Sequence, residues 1–99
     1  MKQGKISGPD RTPDATADVL ATRGSIYGSF DQNANCSQAL KSVMRAYLMR
    51  RTLASDQQEA LEMIALKISR ILTGNADYLD NWVDIAGYAR LVANRLATR

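Results

Sequence analysis

Between Asp80 and Leu96 two stripes run side by side at helical spacing, a pattern that the two-residue period of a strand cannot reproduce. At about 100° per residue, Trp82, Ile85, Ala86, Ala89, Val92, Ala93 and Leu96 share one face, and Asp80, Asp84, Tyr88 and Arg95 share the other. The spacing predicts an amphipathic helix whose alanine-rich side packs inward, with Trp82 as its one large buried ring. Its polar side is expected to face outward and to carry any chemistry. Ala86, Gly87, Ala89 and Ala93 keep this helix thin enough for a neighbour to approach closely.

The segments before it read as further helices that pack around it. Thr12-Pro13-Asp14 sets a capping hydroxyl, a first-turn proline and a first-turn acid in the order that opens a helix, and Gly24 is expected to close it. Arg23 to Phe30 reads as a loop in which Tyr27 and Phe30 plug one end of the bundle, with Asp31 capping a second helix over about residues 32–51. There Cys36, Leu40, Val43, Met44, Tyr47 and Leu48 recur at three-and-four spacing. Ser55-Asp-Gln-Gln58 has the form of a capping box and opens a third helix reaching about Leu72. Leu61, Ile64, Ala65, Ile68, Ile71 and Leu72 form its apolar face, opposite Glu59, Glu62, Lys67 and Arg70, with Met63 and Leu66 set among those charges. The short Gly74–Asp77 turn forces the third and fourth helices to lie antiparallel. The fold expected is all-α: one short and three longer helices in a small antiparallel bundle, a single domain over residues 12–99. Residues 1–11, polar and carrying Gly4, Gly8 and Pro9, read as a flexible tail.

Composition narrows the chemistry. The chain has no histidine, which removes imidazole bases, His-based zinc sites and Ser-His-Asp triads together. Its single cysteine, Cys36, allows no internal disulfide and reads as a core thiol in a reducing compartment. A net charge of +3 with acids and bases interspersed gives a weak field, so nucleic acid is not the expected partner. Four bases and no acid lie between Gln32 and Ser55, most simply a solvated face. No apolar run is long enough to span a membrane; the cytoplasm is the expected location. A 99-residue chain buries only roughly 60–70% of its unfolded surface, so self-association is expected, through helices carrying Met63, Leu66 or Leu91.

Two sets of residues carry candidate chemistry. Arg23, Tyr27, Lys67, Arg70 and Tyr88 supply guanidinium, ammonium and aromatic groups suited to a nucleotide-type anion. Glu59, Glu62, Asp80 and Asp84 offer the oxygen ligands that Mg²⁺ prefers. Pairing the third and fourth helices about Asn75 sets Arg70 opposite Asp80 and Lys67 near Asp84, and carboxylates so engaged are poor metal ligands. No cofactor is therefore expected.

Thr12-Pro13, Arg23-Gly24, Tyr27-Gly28-x-Phe30, the run Gln58-Glu59-Ala60-Leu61-Glu62-Met63-Ile64-x-x-Lys67-Ile68-x-Arg70-Ile71-Leu72-x-Gly74, and Asp80-x-Trp82-x-Asp84-Ile85-Ala86-Gly87-Tyr88 resemble a family of small proteins of unknown function encoded by tailed phages and prophages. The resemblance covers about residues 12–96 and implies a phage accessory protein in the bacterial cytoplasm. The expectation that follows is a non-catalytic protein that recognises a host protein or a nucleotide-type anion, as a counter-defence inhibitor or a nucleotide sponge. A more distant resemblance is to the all-α nucleoside triphosphate pyrophosphatases related to MazG. It implies magnesium held by Glu59, Glu62, Asp80 and Asp84, although the doubled glutamate of that pattern is missing and its second glutamate is replaced by aspartate.

Overall fold

The computed structural model describes residues 13–98, with side chains from residue 16 onward; the expected tail and Thr12 lie outside the described residues. Four helices follow in order: α1 Pro13–Tyr27, α2 Phe30–Leu48, α3 Ser55–Thr73 and α4 Leu79–Ala97. The fold is the expected small all-α bundle, with one shorter helix and three of equal length.

The boundaries differ where backbone chemistry outweighs residue type. Helix α1 runs through Gly24 and ends at Gly28, whose φ of +83° is the left-handed conformation that stops a helix. Its N–H donates to the carbonyl of Gly24 at 2.9 Å. The predicted loop over residues 23–27 is thus the last turn of α1. Ser29, not Asp31, caps α2, its hydroxyl accepting from the Gln32 N–H at 3.2 Å. Helix α3 is capped from Ala54, with Gln57 supplying one half of a capping box by accepting from the Ala54 N–H at 2.9 Å. Asn75 Oδ1 accepts from the Asp77 N–H at 2.9 Å and shapes the turn into α4.

Helix α3 lies in the middle and packs against α2 on one side and α4 on the other, while among the described residues α2 and α4 do not meet. The three longer helices therefore form a layer one helix thick. Helix α1 joins it at its C-terminal end, where the Ile26 carbonyl accepts from the Asn75 N–H at 2.7 Å and the Tyr27 carbonyl from the Thr73 hydroxyl at 3.3 Å. Approach here is so close that a Cβ on Gly74 would run into Ile26 O and the Tyr27 backbone.

What fills the seams of this layer is polar or small. Among the described residues the buried apolar side chains are Ala60 and Ala65, and with them Ser37, Lys67, Ser69 and Asn81 are buried. In the α2–α3 seam Asn33 Nδ2 donates to Ser69 Oγ at 3.3 Å, and Ser69 donates to the Leu66 carbonyl at 2.6 Å. In the α3–α4 seam Lys67 Nζ lies 3.0 Å from Asp84 Oδ2. At its far end Arg95 grips Asp56 with two parallel hydrogen bonds, Nη2 to Oδ1 at 2.8 Å and Nε to Oδ2. That guanidinium holds the Asp56 carboxyl below the usual aspartate range and is itself held further protonated.

Burial follows the sequence expectation in part: Ala65 is buried and Ile64, Ile71, Ile85, Val92, Leu40, Met44 and Leu48 are half-buried, but one edge of each apolar stripe lies open. The α4 stripe predicted to face outward supplies Asp84, Tyr88 and Arg95 to the α3 side, whereas Trp82 is 52% exposed, its Nε1 donating to the Ala76 carbonyl at 2.9 Å. On α3, Leu61, Ile68 and Leu72 are exposed; Met63 and Leu66, expected on the outer face, are half-buried. Val43 and Tyr47 of α2 are exposed, Cys36 is half-buried, and Phe30 is 82% exposed and plugs nothing. The physical reason is geometric: in a one-layer arrangement a wide apolar stripe turns one edge into the seam and leaves the other out of the plane in which the helices touch.

Candidate functional site: a basic cleft at Tyr27

The end of α1, the start of α2 and the middle of α3 enclose a cleft of about 380 Å³ lined by Leu20, Arg23, Gly24, Tyr27, Gly28, Ser29, Phe30, Asn33, Leu66 and Arg70. That volume falls within the range of small-molecule sites. The tie between the ends of α1 and α3 fixes its back wall. Because Gly28 turns the chain in a left-handed conformation, α2 starts within the cleft wall, and the positive end of its dipole lies there with Ser29 and Phe30.

Tyr27 organises the charges. The Arg70 guanidinium carbon lies 4.5 Å from its ring centroid and that of Arg23 5.1 Å away, each at cation–π distance. Tyr78 meets the same ring edge-on, with centroids 5.8 Å apart. Neither arginine forms an ion pair with a carboxylate among the described residues, and no acidic side chain lines the cleft. Two cations held beside one ring, without a carboxylate to neutralise them, form a local positive field. Phe30, on the rim, offers an exposed aromatic face.

Three of the five residues selected for anion recognition, Arg23, Tyr27 and Arg70, are thus brought together, although 43 or more positions separate Arg70 from the other two. Both guanidiniums lie over the Tyr27 ring, while the ring of Phe30 is exposed at the rim. Lys67 lies in the α3–α4 seam with Asp84, and Tyr88 is half-buried on the α4 side of the same seam; neither lines the cleft. Of the other lining residues, Asn33 was not singled out from the sequence and Phe30 was read only as a plug of the bundle end. The available signal was the glycine-serine pair ahead of Phe30, which marks a helix start beside a loop of basic and aromatic residues.

The acidic set stays apart. Asp84 pairs with Lys67 as the antiparallel register predicts, but Asp80 accepts from the Tyr78 hydroxyl at 3.1 Å, and Arg70 sits over Tyr27 instead of meeting Asp80. The Asp80 carboxylate pushes the ionisation of the Tyr78 phenol above its ordinary value. Glu62 accepts from Gln58 Nε2 at 3.2 Å, and Glu59 is exposed. Among the described residues no three histidine, cysteine, aspartate or glutamate side chains converge as metal ligands. With one carboxylate held by an ammonium, another by a phenol and a third by an amide, the four residues do not fit a magnesium cluster.

No helix among the described residues is long and apolar enough to cross a membrane. No curated protein and no solved structure matches the chain. A family model does, over residues 13–96, which span all four helices and the cleft; the chain belongs to the family described as a domain of unknown function, DUF6378.

Proposed function

We propose that this chain is a non-catalytic binding protein for a nucleotide-type anion, which enters the cleft between α1, α2 and α3. The observation that carries this reading is the pair of guanidiniums of Arg23 and Arg70 held beside Tyr27 with no acidic side chain in the cleft lining. Phosphate oxygens are the natural partners of such a pair, since a guanidinium donates two parallel hydrogen bonds to them. The first turn of α2 adds backbone N–H donors and a favourable dipole. A base stacks on Phe30, and Asn33 lies within the lining to read a polar edge. Retention without turnover suits the chemistry present, because the hydroxyls of Tyr27 and Ser29 are accompanied in the cleft lining by no carboxylate or lysine that would activate them. In the phage or prophage setting implied by the sequence resemblance, such a protein serves in the host cytoplasm by sequestering a nucleotide.

Calorimetric titration with nucleoside mono-, di- and triphosphates, without added metal, tests this. At least one should bind more tightly than inorganic phosphate. Arg70→Ala should weaken it roughly tenfold to a hundredfold, the equivalent of one charged hydrogen-bond set. Phe30→Ala should weaken the nucleotide but not inorganic phosphate. If the whole panel fails to bind, or if Arg70→Ala leaves affinity unchanged in a folded protein, the cleft is not a nucleotide site.

A further inference from the structure

The exposed edges of the three apolar stripes lie on one side of the layer. On α3 the Lys67 edge faces α4 and the Ser69 edge faces α2, fixed by Lys67–Asp84 and by Asn33–Ser69. At about 100° per residue the line Leu61, Ile68, Leu72 stands at right angles to both edges, and all three side chains are exposed. Helices α2 and α4 run antiparallel to α3, so the same rotation places Cys36, Leu40, Val43 and Tyr47 of α2 on that side. It places Trp82, Ala86, Ala89, Ala93 and Leu96 of α4 there as well. None of these residues is charged. The opposite side of α3 carries Met63, Leu66 and Arg70, and therefore the cleft.

We propose that this face is the interface between two copies of the chain, which complete one hydrophobic core between them. Among the described residues the fully buried apolar side chains are Ala60 and Ala65, while Ile64, Ile71, Ile85, Val92, Met44 and Leu48 are only half-buried. A core this thin in a chain of this size gains directly from covering the exposed face. Its extent suits a second copy: three helices of 19 residues, each about 28 Å long at 1.5 Å per residue and set 8–10 Å apart, give a footprint of roughly 700–850 Å². A stable interface needs about 800 Å² from each partner. The absence of charge gives a charged partner nothing to grip, while an uncharged face complements itself. Its relief is also self-complementary, because the alanine row of α4 offers a shallow groove and Leu61, Ile68, Leu72 and Tyr47 supply the ridge. Self-association therefore runs through Leu61, Ile68 and Trp82, and not through Met63, Leu66 and Leu91.

Sedimentation equilibrium of the full chain tests this, together with melting at several concentrations. The expected mass is twice 10.9 kDa, with a melting temperature that rises with protein concentration because folding and association are one equilibrium. Ile68→Glu should raise the dissociation constant at least a hundredfold, while Leu91→Glu on the opposite side should leave the dimer intact. Where Ile68→Glu fails to fold, the concentration dependence of wild-type melting decides. A wild-type chain of single mass at 100 μM that melts independently of concentration overturns the proposal. So does a dimer broken by Leu91→Glu and not by Ile68→Glu, or a single chain purified with a different protein in stoichiometric amount.

Discussion

Lys67 shows how a residue on the polar side of a helical pattern becomes structural. It occupies the polar side of an amphipathic pattern, yet it is only 9% exposed because that polar side faces α4. Its ammonium meets Asp84, which is half-exposed, so the pair falls between the surface and the buried case. Removing the half-exposed partner is worse than removing the buried one, because an unpaired Asp84 can be hydrated where it stands and an unpaired Lys67 cannot. Asp84→Asn leaves a buried ammonium beside a neutral amide and should cost about 1–3 kcal/mol, whereas Lys67→Met, which fills the same space without charge, should cost less than about 1 kcal/mol. Urea unfolding at one fixed protein concentration checks both. The reverse order of the two variants would show that the ion pair contributes more than the packing of the lysine stem.

At the scale of elements, the tie between the ends of α1 and α3 is the feature on which the cleft depends. Gly74 has an ordinary negative φ, so what requires glycine there is space and not backbone conformation. Gly74→Ala would push its Cβ against Ile26 O and the Tyr27 backbone, and the last turn of α1 must move away. The expected result is a loss of about 1–3 kcal/mol in urea unfolding, with weakened anion binding because Arg23 and Tyr27 move with α1. The four helices, the 74–78 turn and the Lys67–Asp84 register were legible in the sequence because each rests on local signals: apolar period, glycine, cap and loop length. The α1 boundary was not, because Gly24 and Gly28 look alike until the close approach of Thr73 selects Gly28 as the stop. Arg23, Tyr27 and Arg70 were legible as residue types suited to an anion. Their convergence with Phe30 depends on how α1 crosses α3, which no local pattern encodes.

At the scale of the molecule, the apolar stripes were legible as stripes, and one edge of each does face inward, with Ala65 buried and Ile64, Ile85 and Met44 half-buried, while the other edge, with Ile68, Val43 and Trp82, is exposed. Periodicity says which residues avoid water; it does not say whether the same chain or another copy removes them from it. Trp82, the single tryptophan, reports the difference. In one chain its ring is half-exposed and anchored through Nε1 to the Ala76 carbonyl. A second copy laid over the apolar face encloses the ring, and emission from an enclosed indole lies to the blue of emission from a wet one. Dilution through the dissociation range should therefore shift the emission maximum to longer wavelength, in step with the loss of mass in sedimentation. The Leu91→Glu variant should follow the same curve, and Ile68→Glu should show the long-wavelength emission at every concentration. Binding of a nucleotide in the Tyr27 cleft, on the other side of the layer, should leave the Trp82 spectrum and the dimer mass unchanged. A ligand that moved either would place the cleft and the apolar face in one continuous site.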